Sequence, residues 1–113
     1  MKRDDSIYLQ HILDAINRIE EYLDDVDEIT FLERHLVQDG VIRQLEIVGE
    51  AVKQLSSELR IDNDGIPWQD VAGMRDKLIH HYFGVDLRSV FQTVKEDIPA
   101  LKNEVQSILN KKK

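Results

Sequence analysis

Arg75, Asp76, Lys77, His80, His81 and Tyr82 fall within the stretch "RDKLIHHY", in a chain that holds four histidines in all. Arginine is a fixed planar cation that grips a phosphate with two N–H groups. Histidine can take or give a proton near neutral pH, and tyrosine can stack on a base or hydrogen bond a phosphate. Cleavage of RNA by its own ribose 2′-OH needs little else: a proton acceptor, a proton donor, and positive charge where negative charge builds at phosphorus. That chemistry demands no metal and no cofactor. Asp76 and His80, four residues apart, share a helix face, so the carboxylate can orient the imidazole. As metal ligands the two are too few, and neighbouring histidines on a helix cannot chelate together. The same residue types also suit an ordinary solvated helix end, so residue types alone leave both readings open.

Geometry sharpens the question. Five residues on a helix rotate by about 140°, so Arg75 and His80 cannot point together from one straight helix, whereas Arg75 and Tyr82 fall nearly on one face. Either the helix breaks before His80, as Phe83 and Gly84 nearby would allow, or the groups converge in a cleft shared with a second chain. A two-fold cleft would bring two of each residue to one phosphate and so supply a base and an acid together.

The elements that must position these groups are all helical. Leu9, Ile12, Leu13, Ile16, Ile19 and Leu23 recur at three-and-four spacing and predict a helix from about Asp5 to Leu23. Thr30 followed by Glu33 reads as a capping box that opens a second stretch, with Asp39 and Gly40 as a break or a tolerated weak point. Val41, Leu45, Val48, Val52, Leu55 and Leu59 predict a long buried helix ending near Glu58. "RIDNDGIPW" is turn-like, and Pro67 is placed as the first residue of the next helix, which runs to about His80 with Gly84 as its stop. Asp86 caps a last long helix that Pro99 should bend. The expected architecture is a single all-α domain over residues 1–113, an up-and-down bundle of four to five helices. Its apolar stripes are wide enough to suggest a homodimer.

Composition bounds the partners. At 113 residues the chain can bury roughly two thirds of its unfolded surface around one core. With 22 acidic against 15 basic residues, a net charge of −7 argues against indiscriminate gripping of long nucleic acid, so any RNA contact must be local. The absence of cysteine excludes disulfides and thiol nucleophiles and fits a reducing compartment. No apolar run reaches the ~18 residues of a membrane span, and "MKRDDSIYLQ" turns amphipathic too early for a signal peptide. A cytoplasmic protein without membrane contact is expected. The acidic stretches "DDVDE" and "DNDG" lack the alternate spacing of a calcium loop and read as solvated turns.

"RDKLIHHY" resembles the R-x4-H-x-Y signature of HEPN-domain toxins of the HepT group, and the likeness continues through "GEAVKQLS" and "IPWQDVAGMRDKLIHHYFGVD" to the last helix. The resemblance implies an all-α dimer that acts as a metal-independent ribonuclease, with Arg and His of both protomers lining a central cleft. It further implies pairing with a minimal nucleotidyltransferase antitoxin that transfers AMP to the signature tyrosine. Carried onto this chain, Arg75 would stabilise the phosphate, His80 would be the acid and base, and Tyr82 would accept AMP. His81 also fits a looser R-x5-H form, Asp76 fits a supporting role, and Glu50 would orient Arg75 across the bundle. The alternative is a noncatalytic helical partner that binds and regulates a nucleotidyltransferase.

Overall fold

The structure, a computed structural model, describes residues 4–80 and 86–111, and of residues 75–80 the backbone alone. Among the described residues there are seven helices and no strand: α1 (Asp5–Tyr22), α2 (Glu28–Glu33), α3 (His35–Gln54), α4 (Ser57–Asp62), α5 (Trp68–His80), α6 (Leu87–Glu96) and α7 (Ile98–Lys111).

α1 forms where the apolar spacing predicts it. Asp4 caps it by accepting from the Ser6 N–H at 2.9 Å, and Leu9, Ile12, Ile16 and Ile19 are fully buried. Burying each such side chain contributes about 1.5–3 kcal/mol before the entropy of ordering it is counted. The next start differs from expectation. Asp27, not Thr30, is the cap of α2, its carboxylate accepting from the Thr30 N–H at 2.8 Å. An extended residue with an acceptor is needed three positions ahead of that N–H, and Asp27 supplies both features.

α3 passes straight through Asp39 and Gly40, and the break falls earlier, at the extended Arg34. A helical glycine costs about 1 kcal/mol, less than the burial of Val41, Leu45, Val48 and Val52 that continuity secures. The missing side chain has a further use, because a Cβ on Gly40 would lie 3.1 Å from the Tyr22 ring. The Gln38 side chain, buried at the start of α3, donates to the Phe31 carbonyl at 2.8 Å and so satisfies the end of α2.

α3 ends at Gln54 rather than near Glu58. Leu55 turns extended, Ser56 caps the short α4 by accepting from the Leu59 N–H at 3.2 Å, and the Ser56 hydroxyl donates to Asp5 at 2.7 Å. Arg60 then folds back, donating to the Val52 and Lys53 carbonyls at 2.9 and 3.2 Å, and so closes the orphaned end of α3. Helix α5 begins at Trp68 with Pro67 immediately before it, the Pro67 carbonyl accepting from the Val71 N–H at 3.1 Å. Asp86 caps α6 as expected, but the last helix does more than bend. It stops at Asp97 and restarts as α7, because Pro99 has no N–H to give the Lys95 carbonyl and its ring would strike it. The expected stop at Gly84 lies outside the described residues.

The packing order across the bundle is α5, α3, α1, α7, an up-and-down arrangement with α3 central between α1 and α5. Lys102 on α7 reaches Glu20 on α1 at 2.8 Å, and α6 joins α2 through the Phe31–Phe91 ring contact, 5.4 Å between centroids. The wide stripes are mostly absorbed inside one chain. Among the described residues the large apolar side chains left most exposed, Leu36, Ile29 and Ile61, are scattered over three helices.

Candidate functional site

Helix α5 carries Arg75 and His80 of the signature, and its seating begins before them. The Trp68 indole N–H donates to the Asn63 carbonyl at 2.8 Å, which pins the turn against the helix start. Trp68 and Ala72 are buried, and the helix packs against α3. From this anchored first half α5 continues without interruption through Arg75, Asp76 and His80. Of the two geometries open from sequence, the helix break before His80 is thereby removed. Arg75 and His80 stand on one continuous helix, about 140° apart around its axis. His81 and Tyr82, like the side chains of Arg75, Asp76 and His80, lie outside the described part of the structure.

Glu50 is on α3, the helix against which α5 packs, and it is exposed. It lines a cavity of about 270 Å³ between α1 and α3. One wall of that cavity is Tyr8 and His11, one turn apart on α1, with their rings perpendicular and 6.0 Å between centroids. The floor is Ile47 and Ala51, and Arg43, Glu46, Glu50 and Gln54 complete it along one stripe of α3. Arg43 and Glu46 face each other at 3.8 Å, too long for a hydrogen bond. The sequence reading missed Tyr8, His11, Arg43 and Glu46. For Arg43 and Glu46 the signal was the polar stripe at positions 43, 46, 50 and 54, running beside the apolar one that identified α3, whereas nothing in the sequence brings Tyr8 and His11 to it.

A larger groove, about 870 Å³, opens between the first half of α5 and helices α6 and α7. Val71, Met74, Val90 and Ile98 give it an apolar lining, and Asp70, Asp86, Glu96 and Asp97 stand among its described lining residues without a cation. Among the described residues no three histidines, aspartates or glutamates cluster closely enough to hold a metal ion, and no helix is long and apolar enough to cross a membrane.

An all-α up-and-down bundle whose third long helix carries Arg75 and His80 at R-x4-H spacing, with Tyr82 two positions on, defines a HEPN-like helical domain. Residues 12–108 match the family model described as "Ribonuclease HepT-like", and the chain belongs to that family. A Methanocaldococcus jannaschii protein named "Gamma-glutamylcyclotransferase and putative RNase" is 50% identical over 109 residues, which cover 96% of this chain and 49% of that protein. The chain thus spans about half the length of that relative. A Thermococcus cleftensis protein named "Probable ribonuclease HepT" is 46% identical over 96% of this chain and 98% of its own length. A third, named "Putative RNase", from Caldanaerobacter subterraneus subsp. tengcongensis, is 42% identical over 94% of this chain and 95% of its own length. No solved structure matches the chain. Family membership and the names of these relatives support ribonuclease function.

Proposed function

We propose that this chain is the toxin of a toxin–antitoxin pair and acts as a metal-independent endoribonuclease whose Arg75 and His80 work from two protomers at one phosphodiester. The observation that carries the reading is the unbroken course of α5 to His80. Groups about 140° apart on a single helix do not converge on one atom, whereas two such helices related by a two-fold axis can set the arginine of one against the histidine of the other.

In this mechanism one imidazole takes the proton of the ribose 2′-OH, and the oxygen attacks phosphorus. The P–O bond to the 5′-oxygen breaks, and the imidazolium of the other protomer protonates that leaving oxygen. The products are a 2′,3′-cyclic phosphate and a 5′-hydroxyl end, and one base and one acid exchange roles. The two guanidinium groups hold the non-bridging oxygens as charge builds there. Asp76, four residues before His80, orients the imidazole, and Glu50 supports Arg75 from α3.

Silencing follows from the same geometry. A minimal nucleotidyltransferase partner transfers AMP from ATP to the Tyr82 hydroxyl, releasing pyrophosphate. The added phosphate and adenosine then occupy the place of the substrate, two residues from His80, and repel incoming RNA.

The test is cleavage of RNA by purified protein with EDTA present. Arg75→Ala and His80→Ala should each lower the rate by at least 10²-fold with unchanged helical content, while His81→Ala retains most of it. Full activity in both of the first two variants would end the proposal. Binding of a nucleotidyltransferase without any RNA cleavage would make the chain a regulatory partner instead.

A further inference from the structure

We draw no further inference here: the strongest candidate, the apolar groove between the first half of α5 and helices α6 and α7, carries nothing, because nothing among the described residues shows what covers it.

Discussion

Asp27 and Asp86 hold the starts of α2 and α6 through their carboxylates, and both depend on being ionised. The Thr30 backbone N–H, and after it the Thr30 side chain, keeps Asp27 below the ordinary carboxylate value of 3.8. For Asp86 the Ser89 hydroxyl is the larger cause, with the Ser89 backbone N–H next. Each group is more acidic folded than unfolded, so its contribution is complete above about 3.8 and is lost as pH falls below that through the lower folded value. Urea midpoints measured from pH 6 to pH 2 should fall at the acid end. Asp86→Asn, which keeps a capping acceptor but cannot ionise, should show a smaller fall than the parent. A variant whose midpoint drops as steeply as the parent's would show that Asp86 contributes nothing to the acid sensitivity. At this scale the sequence was informative about chemistry, since the types and spacing of Arg75, His80 and Tyr82 carried the family. It was blind to Arg43, Glu46, Tyr8 and His11, whose meeting depends on how α1 and α3 are rotated against each other.

Gly40 and Gly73 make the same point for whole helices. Both are helical, and replacing either by alanine should gain about 0.5–1 kcal/mol of helix propensity and unfolded-state entropy. On α5 a Cβ at Gly73 meets nothing within 4 Å, so Gly73→Ala should realise that gain. On α3 a Cβ at Gly40 lies 3.1 and 3.2 Å from two atoms of the Tyr22 ring, which must give by a few tenths of an ångström. Tyr22 is at the end of α1 and 37% exposed, so it can shift, and Gly40→Ala should come out close to neutral. Differential urea unfolding of the two variants checks the contrast; a Gly73→Ala protein less stable than Gly40→Ala would contradict it. The same balance explains which boundaries were readable. Periodicity located α1 and α3, because burial of long apolar stripes outweighs local preferences, whereas α5 was read from Pro67 at its start. It left Asp39–Gly40 open as a break or a tolerated weak point, and the second holds because one weak helix former loses to four buried residues. It also ran α3 on to Glu58, because Leu55 and Leu59 keep the apolar spacing while the chain turns between them. That turn is set by Ser56 with Asp5 and by Arg60 with the α3 carbonyls. The first of these contacts spans 51 residues, and neither leaves a local periodicity.

For the whole molecule the decisive question is whether one protomer suffices. Among the described residues the bundle absorbs most of its apolar stripes within one chain, so the proposal of a second copy rests on the proposed chemistry. With α5 continuous to His80, the proposed reaction takes its base from one protomer and its acid from the other. A dimer with one imidazole replaced would then lack one of the two and lose most of its rate. Mixing active protein with an equal amount of His80→Ala, under conditions where protomers exchange, leaves about a quarter of the dimers fully active if pairing is random. Activity should follow the square of the active fraction and fall to about one quarter of the value expected from total protein. Independent sites on each chain would instead leave about one half, by simple dilution. The exchange must be verified in parallel, by following energy transfer between differently labelled protomers. Once exchange is complete, a linear decline to one half would mean that each protomer cuts RNA alone, and the two-protomer mechanism would have to be abandoned even if His80 proved indispensable.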